Sequence, residues 1–122
     1  MTVGATWAPA YVAYGYNNRT MMLRIPAAGR IEDRTVDGSC NPYLGATAVL
    51  AAGLDGVERG LDAGEPADGN LYEMPAGRRE ELGIELLPAN LLDATRELER
   101  CDVLRAALGR GRDEDYLSLI HI

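Results

Sequence analysis

Asn18–Val36, read as NRTMMLRIPAAGRIEDRTV, is the segment from which most of the architecture can be inferred. Thr20–Ile25 is rich in side chains that favour strands, and Arg30–Val36 is interpreted as the strand that follows it. Pro26–Gly29 lies between them and has the composition of a turn. The segment therefore predicts two strands joined by a tight connection.

A further strand is predicted just upstream of this segment. Ala10–Tyr16 is rich in Tyr and Val, and only the Asn17-Asn18 step separates it from the strand that follows. So short a separation predicts neighbouring strands, and we expect an antiparallel sheet of about three strands.

A long helix is predicted downstream of the sheet. Asp37-Gly38-Ser39 ends the third strand, Asn41 has the character of an N-cap, and Pro42 suits the first helical position. The helix is expected to run to about Arg59, with Gly60 ending it. It is dense in Gly and Ala, which predicts close packing against other backbone, and we expect it to be the most buried element.

The remaining chain predicts an incomplete architecture. Leu61–Pro88 is turn-rich and acidic and is interpreted as a long surface connection, followed by helices at Ala89–Glu99 and Asp102–Leu108. The predicted fold class is α+β, a short antiparallel sheet followed by helices. Because these elements do not close on one another, some apolar surface of the long helix should stay exposed. Complete burial of Leu44, Leu50, Leu54 and Val57 would instead indicate a self-sufficient domain.

Composition excludes several functional classes. The chain has 122 residues, room for one small domain, and its net charge of −7 argues against nucleic-acid and anionic-membrane partners. Cys40 and Cys101 are too few and too far apart for a disulfide framework or a metal cluster. No apolar run approaches the roughly 18 residues of a membrane span. The expected compartment is the cytoplasm.

Charged residues are concentrated in the opening segment. Four arginines surround one glutamate: Arg19, Arg24, Arg30 and Arg34 around Glu32. One interpretation is a solvated, salt-bridged sheet face, which contributes little energetically. The other is an anion site in which Arg groups bind phosphate or carboxylate oxygens and Glu32 holds a hard cation. The pattern alone leaves both open.

The register of the two strands tests the anion-site interpretation. Arg30, Glu32 and Arg34 share a face because strand side chains alternate. Arg24 lies on the same face if the two residue numbers in each opposed pair of the antiparallel strands sum to an even value, as in a pairing of Arg24 with Arg30. A pairing of Arg24 with Ile31 would contradict the site.

Five blocks of sequence, in order, resemble one known family. Asn18–Pro26 is similar to the motif Asn-Arg-Ser-x-x-x-Arg-Ile-Pro, and Arg30–Arg34 is similar to Arg-x-Glu-x-Arg. Asn41–Leu44, Ala52–Gly56 and Asn70–Glu73 follow in the same order. The chain resembles the end of the catalytic domain of glutamine synthetase over residues 5 to 116. The closest likeness is to bacterial type III glutamate–ammonia ligases, a group with amine-using relatives.

The resemblance implies a role for each charged residue. Arg19 and Arg24 match arginines that contact the ATP phosphates. Arg19 also matches a catalytic residue that contacts the transferring phosphoryl group. Arg30 matches an arginine of the same nucleotide region, and Arg34 one that contacts glutamate. Glu32 matches a ligand of the divalent metal, Mg²⁺ or Mn²⁺. Such phosphoryl chemistry needs negative charge stabilised by Arg and metal.

The implied function is that of an ATP-dependent glutamate–ammonia ligase working through a γ-glutamyl phosphate intermediate. The first alternative is a glutamate–amine ligase such as a γ-glutamylmethylamide synthetase. The second is a non-catalytic phosphate-binding or decoy subunit. The resemblance implies a ringed homo-oligomer for a full-length parent, whereas this chain alone is expected to be inactive because Glu32 is its sole metal-ligand candidate. Open reading frame upstream of Met1 would favour the ligase.

Two aromatic residues bear on substrate choice and control. Trp7 stands twelve residues before Arg19, at about the place where ammonia-using members have an acidic flap residue. It is either part of an amine pocket or a packing aromatic. Tyr72 matches a tyrosine that some members have adenylylated, and it is expected to be an exposed loop tyrosine.

The last six residues are treated separately from the domain. Leu117–Ile122 resembles the translation of an adapter used in preparing sequencing libraries, so the domain is assigned to residues 1–116 and this tail is interpreted as non-native. A genuine apolar C-terminus is the alternative. His121, the single histidine, lies in the tail and receives no catalytic or metal role.

Overall fold

The computed structural model describes residues 8–67 and 69–109. Its elements, in chain order, are β1 (Tyr11–Tyr16), β2 (Met21–Ala27), β3 (Arg30–Asp33), α1 (Pro42–Glu58), α2 (Ala76–Glu81), β4 (Glu85–Leu86), α3 (Leu91–Arg100) and α4 (Asp102–Leu108). The predicted α+β class is confirmed.

The elements fall into two compact units. Among the described residues, the sheet unit comprises residues 8–37 together with Gly64–Leu87, and the helical unit comprises Gly38–Ala63 together with residues 88–109. None of the helices in the described part of the chain has the length and apolar composition needed to cross a membrane.

The sheet is mixed and four-stranded, in the order β3-β2-β1-β4. β3 pairs antiparallel with β2, and β4 pairs antiparallel with β1. β1 and β2, however, are parallel, with Tyr11 beside Met21 and Tyr16 beside Ile25. The prediction of about three antiparallel strands is therefore corrected in both strand number and pairing.

The connection between β1 and β2 explains the correction. Short connections normally join antiparallel strands, and parallel neighbours usually need a dozen or more residues. Here Met21 lies beside the first residue of β1, so residues 17–20 must run back along the strand. Asn17 starts this return in the left-handed region, with a φ of 53°, a conformation that Asn tolerates.

The ends of β2 and β3 also differ from the prediction for physical reasons. β2 continues through Pro26 because the register with β3 shifts between Arg24 and Ala27, and Pro is tolerated at such a bulge. β3 ends at Asp33, whose carboxylate accepts hydrogen bonds from the backbone N–H and the hydroxyl of Thr35, at 2.8 and 2.7 Å. This local turn competes with continued strand pairing.

The interpretation of Leu61–Pro88 as a surface connection is wrong. The segment contains α2 and β4, and it supplies Ala67 and the fully buried Leu71 to a small core with Met21. Gly15 permits this approach, because a Cβ there would lie 2.8 Å from the Ala67 carbonyl oxygen. The N–H of Ala67 donates to the Tyr14 carbonyl at 2.9 Å.

The helical unit contains the long helix as predicted, Pro42–Glu58, with Gly60 in the left-handed region after its end. The Asn41 side chain caps it by accepting hydrogen bonds from the backbone N–H groups of Tyr43 and Leu44, at 3.0 and 3.4 Å.

The burial expected of α1 is not found. No residue of α1 is buried, so the prediction that it is the most buried element is wrong. The expected bare apolar surface is confirmed, since Leu50, Leu54 and Val57 are 65%, 60% and 79% exposed. With Tyr43, at 82%, they follow helical spacing along one stripe.

The last two helices lie close to their predicted positions. α3 begins at Leu91, two residues later than predicted, because Asn90 caps it by accepting from the N–H of Asp93. α4 has the predicted bounds, but its N-cap is Cys101 rather than Asp102.

Candidate functional site

Three of the predicted charged residues meet on the sheet unit. Arg24 of β2 pairs directly with Glu32 of β3, so the numbers sum to an even value and the register prediction is confirmed. Nη1 of Arg24 donates to Oε2 of Glu32 at 2.9 Å, and Nη1 of Arg34 donates to Oε1 at 2.7 Å. We call Arg24, Glu32 and Arg34 the arginine–glutamate cluster.

The cluster is partly shielded from solvent. The side chains of Arg24 and Arg34 are 16% and 20% exposed, whereas Glu32 is 39% exposed. The hydrogen bond from Arg34 lowers the pKa of the Glu32 carboxyl below its ordinary value, and the guanidinium of Arg24 adds to the effect against an opposing contribution from desolvation. The cluster holds two cations and one anion, so it retains a net positive charge.

The Arg24 guanidinium is hydrogen-bonded on two sides and keeps one donor unused. Its Nη2 donates to the side-chain oxygen of Asn17, and its Nη1 to Glu32. Its Nε is buried and has no hydrogen-bond partner among the described residues. A partly shielded guanidinium with an unused N–H is suited to an anion that brings its own acceptor oxygens.

The other two predicted arginines are not joined to the cluster. Arg19 is exposed in the turn before β2. Arg30 is exposed at the start of β3, opposite Ala27 and beyond the register shift. Among residues 8–67 and 69–109, no hydrogen bond or ion pair links either of them to Arg24, Glu32 or Arg34.

Sequence reasoning missed the structural role of two residues in the Asn-Arg-Thr block. The side chain of Asn18 accepts from the backbone N–H and hydroxyl of Thr20, at 3.0 and 2.8 Å, and donates to the Gly69 carbonyl at 2.6 Å. The Thr20 hydroxyl accepts from the N–H of Leu71 at 3.4 Å. An Asn followed two residues later by Thr is the signal, since such pairs build side-chain-supported turns.

Tyr72 is exposed, as expected, but its hydroxyl is engaged. The side chain is 38% exposed, and the hydroxyl donates to the Ala8 carbonyl. Its ring lies 6.4 Å from that of Tyr11, at a tilt of 57°, and the Arg79 guanidinium lies 5.1 Å from the Tyr11 ring centre. Modification of the Tyr72 oxygen would therefore remove a hydrogen bond to the residue that leads into β1.

Some predicted features lie outside the described residues. Trp7, the candidate amine-pocket residue, is one of them, and so are Leu117–Ile122 with His121. Their assignments stay predictions.

The described residues do not by themselves fit a divalent metal. Mg²⁺ and Mn²⁺ prefer several oxygen ligands. Glu32 is the single carboxylate of the cluster, and both its oxygens already accept from arginines. Within the described ranges no group of three or more His, Cys, Asp or Glu side chains is arranged to hold a metal ion. The metal-ligand role of Glu32 stays a prediction.

Comparison with known proteins agrees with the sequence blocks. A family model described as glutamine synthetase, catalytic domain, matches residues 2–121. The glutamate–methylamine ligase of Methyloversatilis universalis is 51% identical over 119 residues, which are 98% of this chain and 26% of that protein. The glutamine synthetase of Methanocaldococcus jannaschii is 43% identical over 116 residues, 92% of this chain and 26% of that protein. The chain therefore spans 26% of the length of these curated relatives.

Solved structures extend the agreement to the fold. A structure described as "GmaS/ADP complex-Conformation 1" has a TM-score of 0.77 and 46% identity, covering 95% of this chain and 28% of that one. A second, described as "Apo GmaS without ligand", has a TM-score of 0.79 and 43% identity, covering 95% of this chain and 26% of that one. The predicted family and the predicted partial match to its catalytic domain are both confirmed.

Proposed function

The chain belongs to the glutamine synthetase family, and we propose that it supplies the phosphate- and glutamate-contacting part of an ATP-dependent ligase that joins glutamate to an amine. The observation that carries the proposal is the arginine–glutamate cluster. Two partly shielded guanidinium groups converge there on one carboxylate and leave a net positive charge. Because the chain spans 26% of its curated relatives, the proposal concerns the activity of a longer protein.

The proposed reaction has two steps. The side-chain carboxylate of glutamate attacks the γ-phosphorus of ATP, ADP leaves, and γ-glutamyl phosphate forms. The nitrogen of the amine then attacks the acyl carbon, phosphate leaves with the electrons of the C–O bond, and the nitrogen loses a proton. Both steps spread negative charge over phosphoryl and carbonyl oxygens, which positioned cations stabilise.

Arg24 and Arg34 have the geometry for this task. Arg24 keeps a buried, unused Nε donor, which supports a contact with a phosphate oxygen. Arg34 shares Glu32 with it from the other side and is proposed to bind glutamate. Arg19 and Arg30 are proposed to join from the exposed turn and from the start of β3 when ATP supplies the charge that draws them in.

Glu32 is proposed to contribute one oxygen ligand to Mg²⁺ or Mn²⁺ in the full-length protein. The other ligands would come from residues that the described part of this chain does not contain. A bound divalent cation supplies Lewis-acid stabilisation of phosphoryl oxygens. Within the chain itself, Glu32 serves to hold Arg24 and Arg34 side by side.

We propose a small alkylamine such as methylamine as the acceptor. The 51% identity with a methylamine ligase supports this choice. So does Trp7, because an indole can pack a methyl group and lie over a cation, whereas it cannot take a proton. Ammonia is the second candidate, favoured by the 43% identity with a glutamine synthetase.

Chimeric enzymes test both the activity and the acceptor. Residues 2–116 of this chain would replace the matching segment in two hosts, the Methyloversatilis universalis methylamine ligase and the Methanocaldococcus jannaschii glutamine synthetase. Each chimera would receive ATP, glutamate, ammonium and methylamine together, and mass spectrometry would measure glutamine and γ-glutamylmethylamide. We expect both chimeras to turn over and both to favour the methylamide.

Two variants of the chimeras assign the result to named residues. Arg24→Ala should abolish most turnover in either chimera, and Trp7→Glu should shift the product ratio toward glutamine. Folded chimeras that hydrolyse no ATP in the presence of glutamate would refute the proposed ligase and favour the non-catalytic subunit. Chimeras that keep the product preference of each host would refute the methylamine assignment alone.

A further inference from the structure

Asn17 combines two features at the corner between β1 and β2. Among the residues that the structure describes, it is the one non-glycine residue with a positive φ, 53°. Its side-chain oxygen also accepts a hydrogen bond from Nη2 of Arg24. The turn requires the positive φ of Asn17, but it does not require the hydrogen bond between the Asn17 side chain and Arg24.

The contact with Asn17 fixes the orientation of the Arg24 guanidinium. A guanidinium is planar, with five N–H donors in fixed directions. Glu32 holds Nη1 at 2.9 Å, and a single tether of this kind leaves the plane free to turn about the bonded nitrogen. A second acceptor on Nη2 removes that freedom, so the direction of the remaining Nε–H is set.

The corner itself is anchored next to Arg24. The backbone N–H of Asn17 donates to the carbonyl of Ile25 at 3.3 Å. Gly15 of β1 lies beside Arg24 of β2 in the parallel ladder. The side-chain oxygen of Asn17 is therefore held against the strand that carries its partner.

The neutrality of Asn17 also matters. The arginine–glutamate cluster has two guanidinium groups and one carboxylate, and thus one net positive charge with which to attract an anion. An aspartate at position 17 would accept the same hydrogen bond and tolerate the same backbone conformation. It would, however, cancel the remaining charge. A carboxamide orients Arg24 without neutralising the site.

We propose that Asn17 is a positioning residue that orients Arg24 toward the phosphate oxygens of the bound nucleotide and leaves the charge of the cluster intact. The inference rests on the proposed function, because it assigns Asn17 a part in the same site. None of the five sequence blocks that carry the family resemblance includes this residue.

Two substitutions separate this role from a structural one. Asn17→Gly keeps the left-handed corner, which glycine favours, and removes the oxygen that holds Arg24. Asn17→Asp keeps both the corner and the hydrogen bond and adds a negative charge. If Asn17 only shapes the corner, Asn17→Gly should bind anions and turn over as the unsubstituted protein does, and only the added charge of Asn17→Asp should weaken anion binding.

The first measurement needs no turnover. Inorganic phosphate is titrated into the 122-residue chain at low salt by calorimetry, and thermal unfolding is followed in parallel. We expect weaker phosphate binding in Asn17→Gly and the weakest in Asn17→Asp, with both unfolding transitions close to that of the unsubstituted chain. Equal phosphate affinity in all three proteins would overturn the proposal, and so would an absence of phosphate binding in the unsubstituted chain.

The second measurement uses the chimera built on the methylamine ligase. We expect Asn17→Gly to lower kcat roughly tenfold or more, because small misplacements of a positioned group carry large kinetic costs. Asn17→Asp should chiefly raise KM for ATP. A chimera that is inactive before substitution refutes the proposed function, while the phosphate titration still tests Asn17. An active chimera in which Asn17→Gly leaves kcat unchanged, or lowers it only in step with lost folding stability, refutes the positioning role.

Discussion

The sheet unit holds Met21 and Leu71 out of solvent, whereas α1 of the helical unit has no buried residue along its whole length. The sheet unit achieves this with short strands, because side chains distant in sequence tie its loops to the sheet. Asn18 reaches Gly69, and Thr20 reaches Leu71. α1 is well capped and regular, yet its larger apolar side chains, Leu50, Leu54 and Val57, stay exposed. A regular helix is thus a weaker sign of a core than a few well-placed loop contacts.

The largest expected effect is on the core of the sheet unit. Leu71→Ala removes a fully buried side chain and should destabilise the sheet unit by about 2–5 kcal/mol. Leu54→Ala is the matched control in α1, where the side chain is 60% exposed, and should change stability by less than about 0.5 kcal/mol. Amide hydrogen exchange measures both units in one experiment. If both variants lost the same amount of protection from amide exchange, the sheet unit would not have a more stabilising core than α1.

The next effect concerns turnover in the chimeric ligase. Glu32→Gln removes the charge that holds Arg24 and Arg34 together, together with the proposed metal ligand. We expect turnover to fall about 10²-fold or more, the size seen when a positioned charge-stabilising group is lost. Glu97→Gln, which breaks the exposed ion pair with Arg100 in the helical unit, is the control and should leave turnover unchanged. A similar loss of turnover in both variants would mean that the arginine–glutamate cluster has no particular role in the reaction.

A smaller effect is expected from adding one methyl group to each unit. Gly15→Ala would place a Cβ 2.8 Å from the Ala67 carbonyl oxygen and 2.9 Å from Met21 Sδ. The clash should cost about 1–3 kcal/mol. Gly53→Ala meets nothing within 4 Å and should stabilise α1 by up to about 1 kcal/mol, because alanine favours helix. Urea unfolding should show a lower free energy of unfolding for Gly15→Ala and a higher one for Gly53→Ala. A neutral Gly15→Ala would show that the loop does not need the close approach.

Local signals in the sequence predicted much of the sheet and of the site. Alternation placed Glu32 and Arg34 together, and the parity argument correctly joined Arg24 to them. The cap at Asn41 and the bounds of α1 followed from residue types within one turn. These features depend on neighbours a few residues apart, which is the range over which sequence patterns are informative.

The features that sequence reasoning missed depend on backbone conformations and contacts that residue types alone do not specify. The parallel pairing of β1 and β2 requires a return through residues 17–20, which no turn rule anticipates. The inward packing of Ala67 depends on the missing Cβ of Gly15, far earlier in the chain. The contact of Asn17 with Arg24 needs both the left-handed corner and the observed strand register. None of these follows from residue type or from side-chain alternation alone.

The smallest expected effect is the response of the cluster to pH. The pKa of the Glu32 carboxyl lies below its ordinary value of 4.5, first because of the hydrogen bond from Arg34 and then because of Arg24, against an opposing contribution from desolvation. A group whose pKa is lower in the folded than in the unfolded state stabilises the fold above the unfolded value. That contribution should be present at neutral pH and be lost as the pH falls from 4.5 through the folded pKa.

Carbon-detected NMR titration of the Glu32 carboxyl measures this pKa directly in the chain and in two variants. Arg34→Ala should raise the pKa toward its ordinary value, because it removes the largest cause of the shift, and Arg24→Ala should raise it less. Glu32→Gln should flatten the loss of stability below pH 4.5. A larger rise in Arg24→Ala than in Arg34→Ala would reverse the assigned order and make Arg24 the stronger partner of Glu32. An unchanged pKa in both variants would mean that the arginines lie near Glu32 without binding it, and the sheet unit would then lose the charged feature that distinguishes it from the helical unit.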